Sequence, residues 1–341
     1  MELPYITPDL PGTGGSIKEK PGYFIVEELP LYLPSGKGDH LYVNIVKEGM
    51  TTLELHTRLC EILGKRPEEI GYAGLKDKKA RTFQTFSVYD SQHILDNSIK
   101  GIVEKQAGVR VFDVRRHENK LRPGHLRGNK FIVKITGVDA DEAAEKARRI
   151  ASRIETTGVP NYYGPQRFGA SGDNHFRGRD IVLGESSVKQ RWKRRFLVAA
   201  YQSHLCNRYL ASRMDMGDLK NMLDGDVAKK YDTGGIFMVN DLDREQKRYE
   251  DHEISFTAPI YGSRMKQATG PSGELESAVL ENEGVSLEQL GKAGAGGTRR
   301  LGRLLVSDIR IKPLKQSVRI SFSLPKGAYA TTVLREFMKN G

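Results

Sequence analysis

Cysteine is scarce in this chain: 341 residues carry two, Cys60 and Cys206. Each lies in an apolar stretch with helical spacing, so core packing, rather than a disulfide or a metal site, is the expected role of both thiols. Long hydrophobic runs are missing as well. Nothing approaches the roughly 18 apolar residues that a membrane-spanning helix requires, and there is no signal-peptide core near Met1 and no lipidation motif, so a cytoplasmic protein with no membrane association is expected. The eight histidines show no HExxH and the cysteines no CxxC pairing, so no metal is expected. The GAGG run at 294–297 has neither the GxGxxG order nor a Walker lysine. It reads as a flexible loop, and no nucleotide cofactor is expected.

What the chain does have is positive charge. Lys plus Arg number 54 against 43 Asp plus Glu, a net +11, which favours a polyanionic partner, RNA or DNA first. The length suits two domains with ample apolar surface to bury.

The first half alternates strand-like and helix-like stretches. Residues 23–28 and 40–46 are rich in β-branched and aromatic side chains and predict strands. A helix is predicted over 51–64, where Thr51 and Glu54 have capping-box spacing, Leu55, Leu59 and Ile62 share a face, and Gly64 can end it. Strands are predicted over 83–88, 109–114 and 129–138; in the last, Phe131, Val133 and Ile135 alternate with Ile132, Lys134 and Thr136. Asp139 can cap a second helix with an Ala143, Ala147, Ile150, Ile154 stripe. From residue 159 the composition shifts to Tyr162, Tyr163, Arg167 and Phe168, then the basic run KQRWKRR (189–195) leading into a helix. Residues 215–312 are turn-rich and weakly patterned. Val318, Ile320, Phe322 and Leu324 predict a last strand, which needs a sheet to join; returning to the N-terminal strands would make the middle region an insertion.

One carboxylate stands out. Asp77 sits in a turn with Lys76, Lys78, Lys79 and Arg81, neighbours that favour its ionised form and could hold a polyanion against it. An anionic Asp beside a phosphate-binding surface is a candidate nucleophile, although a solvated charged hairpin would look the same.

Five ordered motifs carry a resemblance: SIKEKPGYFIVEE (16–28), GYAGLKDK (71–78), KLRPGHLRGNKF (120–131), GVPNYYGPQRFG (158–169) and LPKGAYAT (324–331). With them the chain resembles the TruD family of tRNA pseudouridine synthases. The resemblance implies an α/β (α+β) fold: a catalytic pseudouridine synthase domain, with a mixed, largely antiparallel sheet flanked by helices, over 1–157 and 313–341, and an inserted α/β domain over 158–312, the two forming a cleft for tRNA. It implies isomerisation of a tRNA uridine to pseudouridine, at position 13 in the D-arm, without cofactor or metal; no obligatory protein partner is evident from the sequence.

Residue by residue, Asp77 matches the family's catalytic Asp, acting by sugar attack or through a glycal, and Lys18 the lysine that pairs with it. Phe131 matches the ring that stacks on the target uracil and Asn129 a substrate-binding amide; at strand spacing their side chains share a face. Phe131 would otherwise be an ordinary core ring, but an amide beside it on a core face needs a partner. Phe24 and Tyr329 match aromatic positions lining the uridine site, where the family often has Phe in place of Tyr329. Glu28 is a candidate to orient Lys18 or a ribose hydroxyl, or to form a structural ion pair. Lys120, Arg122, Arg127, Arg167 and Lys326 are candidate RNA-positioning cations, with bracing of the hinge between the domains as the alternative for Arg167. The rival readings are the same chemistry on another structured RNA and a non-catalytic RNA-binding or remodelling protein.

Overall fold

The computed structural model describes residues 3–17, 19–217 and 219–340. In chain order the strands are β1 (Phe24–Pro30), β2 (His40–Lys47), β3 (Ile70–Tyr72), β4 (Arg81–Tyr89), β5 (Arg110–His117), β6 (Leu126–Thr136), β7 (Val159–Pro160), β8 (Val227–Lys230), β9 (Ile236–Met238), β10 (Ile254–Ile260), β11 (Thr298–Leu301), β12 (Arg303–Leu304), β13 (Ser307–Leu314) and β14 (Ser317–Pro325). The α-helices are α1 (Thr52–Leu63), α2 (Ile99–Ala107), α3 (Ala140–Thr157), α4 (Asn174–Leu183), α5 (Arg191–Asp215), α6 (Leu242–Glu250), α7 (Gly270–Glu283), α8 (Leu287–Lys292) and α9 (Ala330–Met338). Among the described residues, no helix is long and apolar enough to cross a membrane. The chain divides into two compact units.

The sheet unit comprises Gly12–Ala151, Val306–Ala328 and Phe337–Gly341. Its eight-stranded sheet runs β13-β14-β6-β1-β4-β2-β5, with β3 also on β4. The pairings are antiparallel except β1 with β4. The C-terminal strand β14 joins β6 along its length, from Ser317 opposite Thr136 to Pro325 opposite Gly128. β13 extends the same sheet, so the expected change of domain at 312/313 falls inside a strand. Local signals set α1: the Thr51–Glu54 capping box is formed and Gly64 ends the helix at φ 61°. Leu55 and Leu59 of α1 pack with Ile99 and Val103 of α2 against Leu41, Val43, Ile45, Phe86 and Val88 of the sheet.

Register decides which residues share a face. Phe24, Val26 and Glu28 of β1 lie opposite Val133, Phe131 and Asn129 of β6. Those three lie opposite Ile320, Phe322 and Leu324 of β14. Because side chains alternate along a strand, the residues between them, Glu27, Lys130 and Ser323 among them, point to the other side.

The second unit comprises Met1–Pro11, Ser152–Leu305 and Tyr329–Glu336. It centres on α5, which buries Leu197, Tyr201, Leu205, Cys206 and Tyr209 in one core with Tyr249, Phe256 and Tyr261. A four-stranded sheet β11-β10-β8-β9 lies within it. The weakly patterned region is therefore well structured. Its strands escape periodicity because they are short, and β10 is buried at six successive positions, which leaves no alternation to read. The expected flexible GAGG loop is also corrected. Ala295 and Gly296 carbonyls accept the Ser263 and Arg264 N–H groups, and at Gly297 (φ 77°) a Cβ would come within 2.8 Å of the Gly262 nitrogen, so only glycine fits that backbone contact.

Candidate active site

The site begins with a change of partner along one edge of β4. Its first residues, Arg81 to Phe83, pair with β1, and Phe86 to Val88 pair with β3. At the gap between them, the Thr85 N–H turns to the Glu28 carboxylate. The loop from β3 to β4, which carries Asp77, is anchored there by side chains: Gln84 Nε2 donates to the Gly74 carbonyl at 2.6 Å. Thr52 Oγ1, at the start of α1, donates to Gln84 Oε1 at 2.9 Å and accepts the Lys76 N–H at 2.8 Å.

Lys76 turns inward, its ammonium 2.9 Å from Glu28, both side chains 5–6% exposed. Burial raises the Glu28 pKa and the Lys76 charge opposes that rise. Of the alternatives for Glu28, the ion pair is formed, with Lys76 as its partner. Lys18 lies outside the described residues. Asp77 itself is exposed at the loop tip. The cations expected to crowd it are partly drawn off: Lys76 by Glu28, Lys78 by Glu54 at 3.2 Å, and Arg81 by Glu48. Successive side chains of a tight loop point in different directions, so neighbours in sequence find other partners.

Sequence reasoning missed another cation that feels the Asp77 charge. Lys47 is buried, 1% exposed, and its ammonium donates to the Met50 carbonyl at 2.6 Å. Burial pushes its pKa down to about 8, and the Asp77 charge is the leading influence in the other direction. Lys47 closes the inward row Leu41, Val43, Ile45 of β2, and Thr82 and Gln84 stand in the same apolar row of β4. Polar residues at core positions of alternating strands were the available signal.

Opposite Glu28 stands Asn129. Its Oδ1 is buried and accepts no hydrogen bond, an unsatisfied acceptor of the kind native structures rarely leave without reason. Phe131 is 7% exposed, stacked on Phe322 (centroids 5.6 Å apart, 29° between planes) and edge-on to Phe24 at 6.2 Å. The ring expected as a free platform is thus largely packed among others. At the same end of β6, Lys326 ties the strand to the loop before it, its N–H donating to the Arg127 carbonyl and its Nζ to the Gly124 carbonyl, each at 3.1 Å. Arg122, Arg127 and Lys326 are exposed there, and Lys120 donates to the Glu68 carbonyl.

Tyr329 and Arg167 belong to the second unit. There Tyr329 lies 5.8 Å from the Tyr163 ring, and the Arg300 guanidinium covers Tyr163 at 4.3 Å. Arg167 donates to Ser203 Oγ at 3.0 Å and sits 5.8 Å from Tyr163. Asn207 fixes the backbone of Tyr163 through both its N–H and its carbonyl.

These positions lie on a chain that matches the family tRNA pseudouridine synthase D (TruD) over residues 1–193 and 186–337. It is 42% identical over 346 residues to the tRNA pseudouridine synthase D of Anaeromyxobacter dehalogenans, covering 99% of this chain and 97% of that protein. It is 41% identical over 339 residues to that of Thermus thermophilus, covering 98% and 92%. A crystal structure of a Methanosarcina mazei chain assigned as tRNA pseudouridine synthase D superposes with a TM-score of 0.82 at 25% identity, covering 99% of each chain. By sequence over its whole length and by fold, the chain belongs to the TruD family.

Proposed function

We propose that the protein is a tRNA pseudouridine synthase, an isomerase that cuts the N1–C1′ bond of a uridine, turns the uracil and rejoins it through C5. Atoms and electrons balance within the substrate, so neither cofactor nor metal is called for. Asp77 is the proposed nucleophile or base, through a sugar adduct or a glycal, with Lys18 as its partner. The family pattern points to position 13 of the D-arm, to a cytoplasmic enzyme, and to a catalytic domain (1–157, 313–341) interrupted by an inserted one (158–312).

The observation that carries this reading is the buried, unpartnered Asn129 Oδ1 beside Phe131. A uracil edge presents an N3–H donor that such an acceptor can take. Extruding a base costs a few kcal/mol, which stacking and edge hydrogen bonds offset. The Phe24–Phe131–Phe322 cluster supplies apolar surface next to that acceptor. Phe24 and Tyr329 are assigned to substrate binding by the family pattern. Lys120, Arg122, Arg127, Arg167 and Lys326 are assigned to phosphates.

The test is mass-spectrometric mapping of tRNA treated with wild-type protein and with Asp77→Asn. Pseudouridine at position 13 with the wild type alone is expected. Absence of pseudouridine from every tRNA treated with active-fold wild-type protein would remove the reading, and modification confined to other RNAs would replace its substrate.

A further inference from the structure

On the face of the sheet opposite Asn129 and Phe131, many side chains are exposed or half-buried, although Tyr42, Ser87, Ser317 and Ser323 on it are buried. Register carries one surface across it: Lys312 opposes Arg319, and Arg319 opposes Lys134. Lys130 opposes Glu27, and Glu27 opposes Phe83. Phe83 opposes Val46, and Val46 opposes Arg110. Directly opposed side chains share a face. Ile25, Phe83 and Ile132 are only half-buried on it, and Arg110, Arg310, Lys312 and Arg319 are exposed.

Charge on these rows is one-sided. Glu27 is paired with Lys130 at 3.6 Å, Asp113 with Arg115 at 2.9 Å, and Glu48 with Arg81. Arg110, Lys134, Arg310, Lys312 and Arg319 are left in excess. Rings stand among them. A register shift in β5 makes Phe112 an extra residue, 65% exposed, edge-on to Phe83 at 6.1 Å. With Val46 and Arg110 these rings line a groove of about 460 Å³. Beside it is a cavity of about 250 Å³, lined by Tyr32, Tyr42, Asn44, Asp113 and Arg115 and reaching Glu28 and Thr85 of the candidate active site. Asn44 Oδ1 is buried there and accepts no hydrogen bond. That volume is below the roughly 300–1,000 Å³ of sites for drug-sized ligands and suits one nucleobase.

We propose that this face is a second RNA-binding surface, which takes a single-stranded segment with its phosphates on the unmatched Arg and Lys rows, bases against Phe112 and Phe83, and one base in the Asn44 cavity. Open sheets that combine rings with cations bind unpaired bases, because every base has a face to stack. A duplex hides those faces and offers the surface only its phosphates. The proposal goes beyond the catalytic reading and stands if Asp77 has another role.

The experiment is fluorescence anisotropy of a labelled single-stranded RNA of about 12 nucleotides, within the site sizes of such surfaces, against the full chain. Arg110→Glu with Arg319→Glu is expected to weaken binding at least about tenfold and to flatten its salt dependence. Phe112→Ala is expected to cost at least about fivefold, and Asn44→Ala less. Asp77→Asn should leave this affinity unchanged, and ultraviolet cross-links should fall on Phe112 and Tyr32. Circular dichroism identical to wild type keeps each variant interpretable. Unchanged affinity after the double charge reversal, equal affinity for the same strand in duplex, equal capture by phosphatidylserine vesicles, or cross-links only elsewhere would each overturn the proposal.

Discussion

Asp77 in the sheet unit and Asp226 in the second unit are the same side chain under opposite conditions. Asp226 is fully buried and held by Arg213 at 2.7 Å, with the guanidinium contacting both carboxylate oxygens and Ser272 Oγ adding a third bond. Asp77 is exposed, and its neighbours in sequence are bound to other carboxylates. The second unit repeats the buried arrangement in Arg299 with Glu276 at 2.5 Å, and in Arg303 over the Tyr249 ring at 3.4 Å. A carboxylate with every lone pair spent inside the protein has nothing left for a substrate. In this chain the elaborate charge networks are architecture, and the sparsely partnered groups, Asp77 and Asn129, are the candidates for chemistry.

The sharpest break of that contrast is a pair of single substitutions. Asp77→Asn is expected to remove pseudouridine formation, a fall of more than about 10³-fold, with unfolding and tRNA affinity nearly intact. Asp226→Ala should do the reverse, costing about 3–5 kcal/mol by urea denaturation because it strands a buried guanidinium. If Asp77→Asn unfolds the protein, or Asp226→Ala does not destabilise it, the division of roles fails.

Lys76→Met tests a buried pair inside the sheet unit. Glu28 would be left unpaired, at a cost of about 3 kcal/mol at neutral pH. The sign follows from its raised pKa: the folded state binds the Glu28 proton more tightly than the unfolded state, so stability is present at low pH and is lost as pH rises through the folded pKa. The Lys76→Met deficit should therefore shrink on acidification, and a deficit independent of pH would show that the charge is not its cause.

Lys47 gives a smaller effect of opposite direction. Folded, it releases its proton at about 8, against an ordinary 10.5. Between these values the unfolded state binds more protons, so stability rises with pH across the window, and it is lost again as pH falls through about 8. Urea curves at several pH values in that window should show this rise in wild type relative to Lys47→Met. Equal slopes would place the Lys47 pKa elsewhere. The smallest expected effect is at the loop cations: Arg122→Ala and Lys326→Ala should each reduce the salt dependence of tRNA binding by about one ion, read from affinities at a series of KCl concentrations.

Much of the sheet unit was legible in sequence. β1, β2, β4, β5 and β6 announce themselves by β-branched and aromatic runs, and α1 by a capping box that the structure forms. The second unit was not: β10 lacks alternation because all its faces are covered, and nothing local marks the burial of Arg213, Arg299 and Arg303. At the candidate site the split is finer. Asn129 beside Phe131 was legible from strand spacing, whereas the Glu28–Lys76 pair joins residues far apart in the chain. Lys47 was visible only as a polar residue in an apolar row.

The sequence by itself determined the family, through ordered motifs, and the local elements, because caps and two-residue alternation act over a few bonds. Only the tertiary structure decided which charges are spent, since pairing depends on which strands adjoin. The change of partner along β4, which aims the Thr85 N–H at Glu28, and the basic face behind it both arise from strand order, and neighbouring residues along the chain do not encode that order.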